Sequence, residues 1–161
     1  MSAVIKVLNT GSSHVPILLR VGLGLVILPH GLQKVFGWFG GFGFAGTMDF
    51  FTQTMGFPYL LGLAAIVAES VGAVLLILGL ATRVSALVIG VTMFVAMVTV
   101  HLPYGFFMNW SGSQAGEGVE FFVLTLALAA ALVLSGGGAL SVDRVIVEKV
   151  TGGSYRDAHA Q

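Results

Sequence analysis

The chain has no cysteine among its 161 residues. This absence excludes disulfides, thiol nucleophiles, iron–sulfur clusters and zinc sites built from cysteine. Charged residues are also scarce, at 9% against the roughly 25% of a soluble globular protein. Because hydrophobic residues make up 57% of the chain, the composition predicts one domain whose main solvent is lipid rather than water.

The sequence also lacks the usual signs of nucleic-acid binding and of catalysis. Its formal net charge is zero and its seven lysines and arginines are scattered, so no basic stripe is available for phosphates. A nucleotide loop, an H-E-x-x-H motif and a nucleophile elbow are all missing. We therefore expect no nucleic-acid partner, no covalent cofactor, no metal site and no catalysis by this chain alone.

Four long apolar segments are present instead, at about residues 15–36, 59–80, 84–102 and 119–135. Each is close to the roughly 20 residues with which a helix crosses about 30 Å of hydrocarbon. Backbone groups in hydrocarbon need internal partners, and the alternation of a barrel strand is absent. The sequence predicts an all-α, antiparallel bundle of four transmembrane helices over residues 15–135.

Basic residues predict the orientation of this bundle. Lys34 alone lies in the connections of one side, and six basic residues lie toward the other: Lys6, Arg20, Arg83, Arg144, Lys149 and Arg156. The positive-inside rule then places residues 1–14 and the tail 136–161 in the cytoplasm, as in a multi-pass protein of the inner (cytoplasmic) membrane. We expect Arg20 to reach the inner headgroups.

The flanking segments give further expectations. The tail predicts a short surface helix capped by Ser141, with its last ten residues disordered. The outer loop 37–57 is rich in glycine and phenylalanine, and the sequence leaves open whether it is a lid or lies on the headgroups. Trp38, Tyr104 and Trp110 are predicted to join an aromatic belt.

Small residues recur at four-residue spacing within the apolar segments, in the pairs Ala68 and Gly72, Ala86 and Gly90, and Ala127 and Ala131. Such positions let helix backbones approach closely inside a membrane, so they predict a tightly packed bundle. The alternative is that glycine and alanine are simply common in such helices.

Glu69 lies near the middle of the second apolar segment, where a charge costs at least about 2.5–3.5 kcal/mol. It must be protonated or face a partner across the bundle. Its helical neighbours Ala65, Gly72 and Ala73 place it on a face of small residues. Two interpretations remain open: a ligand or proton site, and a buried hydrogen bond that clamps two helices.

A second polar set, His30, Gln33 and Lys34, occurs at i, i+3 and i+4 near the outer end of the first segment, just after Pro29. This spacing predicts that the three side chains project from one helix face. Imidazole, amide and ammonium together form a compact set of donors with one group that titrates near neutral pH. Lys34 could equally extend toward the headgroups.

His101 ends the third segment and Glu120 begins the fourth, both on the predicted outer side. With His30, Gln33, Lys34 and the deeper Glu69, they predict one ligand-binding pocket that opens outward. His101 and Glu120 could instead only complement helix ends. The stripe Met93, Met97, His101 resembles a soft-metal site, but methionines at helical spacing are more often packing.

At these residues the sequence resembles the DoxX family of small four-helix membrane proteins. The matching stretches are LLRVGLGLVILPHGLQKVFG, AESVGAVLLILGLATRVSALVI and GGGALSVDR. The resemblance implies a component of membrane redox chemistry, similar to the quinone-reducing membrane subunit of a thiosulfate-oxidising enzyme. By this resemblance, the polar positions of the family correspond here to Arg20, His30, Gln33, Lys34 and Glu69.

The leading functional hypothesis is a membrane subunit of a redox complex that binds a quinone or a similar small apolar molecule. Electrons would come from a protein partner, because the chain has no flavin, haem or metal motif. A scaffold that anchors a partner complex is the first alternative. A small-solute carrier is the second, and it would require a homo-oligomer because four helices are few for alternating access.

Overall fold

The computed structural model describes residues 3–151, and within that range every regular element is helical. The elements are α1 (Ala3–Leu8), α2 (Val15–Phe36), α3 (Gly43–Asp49), α4 (Tyr59–Leu78), α5 (Thr82–Tyr104), α6 (Glu120–Ser135) and α7 (Val142–Val150). The last ten residues, which we predicted to be disordered, lie outside this range. The all-α class is confirmed.

Three of these helices, α2, α4 and α5, are long and apolar enough to cross a membrane. Their bounds agree with the first three predicted segments to within two residues. Helix α6 matches the fourth segment, but it has only 16 residues, which span about 24 Å at 1.5 Å per residue. Length and composition therefore identify three membrane-spanning candidates and one shorter apolar helix.

One apolar core joins these four helices. Leu23 and Ile27 of α2 meet Leu76 of α4, Ile89 of α5 and Leu132 of α6, all almost completely covered by protein. The opposite faces carry large apolar side chains that the protein leaves uncovered, such as Leu18, Leu60 and Leu124. A helix that is apolar all round is typical of a lipid surrounding.

Small residues line the helix contacts, but not all of those predicted. Ala68, Gly72 and Ala86 are buried, and a Cβ at Gly90 would lie 3.3 Å from that of Ala129. The prediction for Ala127 was wrong: it is exposed, and Ala129 takes the contact in α6. Helix α6 has alanine at positions 127, 129, 130 and 131, so four-residue spacing alone does not select the packed face.

The connection 37–57 is not an extended loop. A 3₁₀ turn at Trp38–Gly40 leads into α3, which continues as a π turn through Phe50–Thr54. Thr47 and Met48 are buried where α3 packs on α2 and α4, whereas Trp38 is more than half exposed. The helical turns satisfy the backbone N–H and C=O groups of this connection. The glycine-rich sequence did not indicate that it would be helical.

Arg20 does not extend to the headgroups as predicted, because only 4% of its surface is exposed. Its guanidinium donates to the carbonyls of Leu76 and Ile77 at the end of α4, and to those of Gly137 and Leu140. These carbonyls lie at the C-terminal end of α4 and in the turn before α7, where partial negative charge attracts a cation. Snorkelling was the wrong expectation because a guanidinium can satisfy several of them at once.

Arg83 acts in the same way at the end of α6. It donates to the carbonyls of Val133 and Leu134, and to that of Asn9 in the N-terminal segment. Two arginines thus complete the C-terminal ends of two apolar helices at the same end of the molecule. Hydrocarbon offers no hydrogen-bond partner to such carbonyls, so the arginines satisfy them from within the protein.

The predicted helix of the tail is confirmed as α7, with Ser141 at its N-cap accepting a hydrogen bond from the Arg144 amide at 3.2 Å. Asp143 is buried and its two carboxylate oxygens accept from the amides of Ala81 and Thr82, at 2.6 and 2.9 Å. A carboxylate at the start of α5 compensates the positive end of that helix. The tail is therefore fixed to the turn between α4 and α5.

We predict that Arg20→Ala will strongly destabilise the protein. Hydrogen bonds to a charged group are worth about 1.5–3 kcal/mol each, and the variant would leave several buried carbonyls unsatisfied. Thermal unfolding in detergent should show a clear drop in Tm. Arg144→Ala is the control, since it removes one i, i+4 ion pair with Glu148, whose side chains are each 22% exposed, and such pairs contribute little. Equal Tm values for the two variants would contradict this account.

Candidate functional site

The polar side chains predicted for the site come from different helices and meet at the end of the molecule away from α7. Lys34 of α2 and Glu69 of α4 form an ion pair with 2.5 Å between Nζ and Oε2. The carboxylate side chain is 5% exposed and the lysine side chain 23%. Of the two states expected for Glu69, the structure contains the paired one.

A glycine makes this pair possible. A Cβ at Gly31 would lie 2.4 Å from the carbonyl oxygen of Glu69 and 2.6 Å from the Cα of Ser70. Real Cβ atoms are not found that close to backbone atoms, so only glycine lets α2 touch α4 here. Lys34 lies one turn further along α2 and therefore reaches the carboxylate directly.

Irregular turns shape the same region. Glu69 lies in a π-helical segment of α4, Ala68–Gly72, and His101 ends another in α5, Met97–His101. A π turn inserts one extra residue and rotates the side chains that follow it, and such turns are common at functional sites. The turns redirect two of the predicted polar side chains toward the space beside the ion pair.

That space is a cavity of about 280 Å³. Four of the six predicted site residues line it: His30, Lys34, Glu69 and His101. His30 also lies within electrostatic range of both Lys34 and Glu69. The remaining lining residues are Met93, Ala96, Met108, Glu117, Phe121 and Phe122, so one wall is polar and the other is aromatic and apolar.

His101 is held in a defined position. Its ring centroid lies 4.4 Å from that of Phe122, and its Nδ1 lies 2.9 Å from the carbonyl oxygen of Glu117. Because a carbonyl only accepts, Nδ1 carries the proton and Nε2 is the ring's other polar atom. His30 is placed similarly beside an aromatic ring, 6.0 Å from that of Phe121.

Gln33 does not join the cavity. Gly31 marks the line along which α2 contacts α4. Viewed down the helix axis, Gln33 lies about 160° away from Gly31 and Lys34 only about 60° away, so Lys34 is the nearer of the two to this contact. The side-chain amide of Gln33 donates to the carbonyl of Phe39 at 3.3 Å, and its side chain also hydrogen-bonds that of His30, which does line the cavity. The i, i+3, i+4 spacing predicted that His30, Gln33 and Lys34 share one side of α2. It did not show which part of that side contacts α4.

Glu120 also lies outside the cavity lining. It is the first residue of α6, and its Oε2 accepts the Met108 amide at 3.1 Å. Glu117 accepts the next amide, that of Asn109, at 2.6 Å. The two carboxylates thus fold residues 105–119 back over the cavity, where Met108 lines it.

Sequence reasoning missed Glu117, Met108 and the two phenylalanines of α6. The acidic pair Glu117 and Glu120 was a usable signal, because Glu120 begins an apolar helix and Glu117 precedes it by less than one turn. The phenylalanines gave no such signal, since aromatic residues are frequent throughout this chain.

Within residues 3–151 no three His, Cys, Asp or Glu side chains are grouped as metal ligands would be. Of the methionine stripe, Met93 lines the cavity and Met97 packs on the core.

We predict that Gly31→Ala will separate α2 from α4 and disrupt the ion pair. The added Cβ would collide with backbone rather than with a flexible side chain, so the strain cannot be relieved locally. Thermal unfolding in detergent should report a lower Tm. Gly22→Ala is the matched control in the same helix, because its Cβ would meet nothing within 4 Å, and alanine favours helix by about 1 kcal/mol. A Gly31→Ala protein as stable as Gly22→Ala would refute the close contact.

Comparison with known proteins gives two matches. The sequence model of the DoxX family matches residues 15–102, from the start of α2 to near the end of α5. A Bacillus subtilis (strain 168) protein named "Putative oxidoreductase CatD" is 32% identical over 127 residues, which cover 79% of this chain and 83% of that protein. No solved structure matches the chain significantly.

Proposed function

The chain belongs to the DoxX family, and from this premise we propose that it is the membrane subunit of a redox complex. In this role its cavity binds the headgroup of a quinone or a similar small apolar molecule, and a protein partner supplies the electrons. The relative named an oxidoreductase supports the redox part of the proposal. The chemistry of the cavity lining supports the ligand class.

The proposed setting is a bundle of four antiparallel helices, α2, α4, α5 and α6, that crosses the inner membrane with both termini in the cytoplasm. Two contacts support opposite directions for α2 and α4: Gly24 lies against Ala73 and Ile77, and Gly31, further along α2, lies against the earlier Glu69. Lys34 is the basic residue at the cavity end, whereas the opposite end carries several lysines and arginines. By the positive-inside rule, this favours a cytoplasmic position for the end opposite the cavity.

The observation that carries the proposal is the buried Lys34–Glu69 pair beside two histidines and an aromatic wall. A quinone ring needs hydrogen-bond donors at its carbonyl oxygens, which Lys34 and His30 would supply. A hydroquinone needs an acceptor for its hydroxyl protons, which Glu69 would supply. The flat ring would contact Phe121 and Phe122. A cavity of about 280 Å³ is near the lower end of ligand sites, roughly 300–1,000 Å³, and suits a single small headgroup.

We predict that His30→Ala and Glu69→Gln will each weaken binding of a short-chain quinone analogue to the purified protein by about tenfold or more. A hydrogen bond to a charged group is worth about 1.5–3 kcal/mol, and about 1.4 kcal/mol is a factor of ten in affinity. Titration with the analogue, followed by calorimetry or fluorescence, measures the change.

Two matched controls are available for this titration. His14→Ala removes an exposed histidine at the other end of α2, and Asp49→Asn alters an exposed carboxylate outside the cavity lining. Both should bind as the unmodified chain does. Unchanged affinity in His30→Ala and Glu69→Gln would reject the proposed site.

A second candidate function is a scaffold, in which the ion pair only clamps α2 to α4. The burial of Glu69 favours it, because removing one partner of a buried pair typically costs about 3–5 kcal/mol. The double variant Lys34→Met with Glu69→Leu separates the two functions, since apolar replacement of both partners is often tolerated.

We expect this double variant to keep its Tm in detergent and its partner complex, but to lose binding of the quinone analogue and redox turnover. Copurification of the partner and turnover per assembled complex are the measurements. If turnover persists while the pair is gone, the scaffold function is correct and the ligand site is not.

A further inference from the structure

A surface with no assigned role lies at the end of the molecule opposite the cavity. Helices α1 and α7 pack against each other there, and each turns one apolar side chain inward, Ile5 and Val147 respectively. Six other apolar side chains of this region are between 37% and 80% exposed. We call them the basal face: Val4, Val7, Leu140, Val142, Val145 and Val150.

Leu140 is the most unusual residue of the basal face. Its φ is 56°, a left-handed conformation that costs a residue other than glycine about 1–3 kcal/mol. Its carbonyl is held by Arg20 at 3.0 Å, while its side chain is 80% exposed. Packing within the protein gives no reason to hold a leucine outward at a strained position.

The charges beside the basal face are cationic. Lys6 and Lys149 are exposed on α1 and α7. The acidic groups of this end point inward or are paired: Asp143 accepts the amides of Ala81 and Thr82, and Glu148 binds Arg144. Among residues 3–151, the basal face therefore presents lysines alongside valines and a leucine.

This combination is typical of helices that lie in a membrane interface, with apolar side chains in the acyl boundary and lysines at anionic headgroups. The lipid-facing surface is also continuous with it, because Val15, Leu18 and Leu134 are uncovered at the adjoining ends of α2 and α6. A water-facing position would instead leave the whole face solvated.

We infer that the basal face is an anionic-lipid binding surface, on which α1 and α7 lie in the headgroup region of the leaflet at that end of the bundle. Leu140 and the valines enter the acyl boundary, and Lys6 and Lys149 contact lipid phosphates. The inference rests on the membrane setting of the long helices and not on the redox function, so quinone binding and lipid binding can fail separately.

The absence of cysteine allows a direct depth measurement. Val145→Cys labelled with bimane would be placed in nanodiscs of phosphatidylcholine with one quarter phosphatidylglycerol. We expect doxyl-labelled lipid to quench it at least threefold more than aqueous iodide does. Ser113→Cys, in the exposed polar segment at the other end, is the control and should be quenched mainly by iodide.

Two results would overturn the inference. Iodide quenching of the Val145 label equal to that of the Ser113 label would show that the face is in water. Protection from both quenchers would show that a protein, such as a second copy of the chain, covers it.

The lipid specificity is tested with the full chain by native mass spectrometry. Lys6→Gln with Lys149→Gln should reduce bound phosphatidylglycerol at least twofold, whereas the Lys6→Arg with Lys149→Arg control should retain it. Leu140→Asn tolerates the left-handed backbone while removing the apolar side chain, so it should fold normally and lower the doxyl quenching at residue 145. Unchanged lipid binding and quenching in these variants would also reject the proposal.

Discussion

The ion pair between Lys34 and Glu69 joins two apolar helices at a point where a lone carboxylate would be very costly. Its formation requires α2 and α4 to touch, and Gly31 is what allows that contact. A neighbouring π turn places Glu69 toward Lys34 rather than toward lipid. The cavity, with its two histidines, lies beside this neutralised pair, so the polar wall at this end of the bundle depends on it.

At the opposite end of the molecule, charged side chains hydrogen-bond the backbone groups of helix ends. Apolar helices end there with carbonyls that hydrocarbon cannot satisfy, and Arg20 and Arg83 donate to them. Asp143 does the reverse for the amides that begin α5. Three of the few charged residues in the chain are therefore used to complete backbone hydrogen bonds, and they attach the tail to the helices.

This division separates a structural end from a candidate functional end. At the first end, Arg20, Arg83 and Asp143 have backbone partners and little freedom to bind anything else. At the second end, Lys34 and Glu69 pair with each other and line open space. Such a difference explains how a chain with 9% charged residues can be both stably packed and able to present a polar site.

The positions of the site residues show where sequence reasoning succeeds. His30 and Lys34 were predicted together because helical spacing is a local property, and Glu69 because a charge inside an apolar helix is conspicuous. Gln33 and Glu120 do not line the cavity themselves, although Gln33 hydrogen-bonds His30 and Glu120 accepts the amide of Met108, both of which line it. Glu117 was missed because the fold of residues 105–119 follows no period, and Phe121 and Phe122 were missed because aromatic residues are frequent throughout the chain.

The sequence by itself determined the apolar helices, their bounds and the need of Glu69 for a partner, because hydropathy and the cost of a buried charge are local quantities. Only the tertiary structure decided which partner it has, which face of α6 packs, and that Arg20 is buried rather than extended to the surface. Those outcomes depend on which helices touch and how they are rotated. Gly31 and the π turns fix that rotation through steric contacts between residues far apart in the chain.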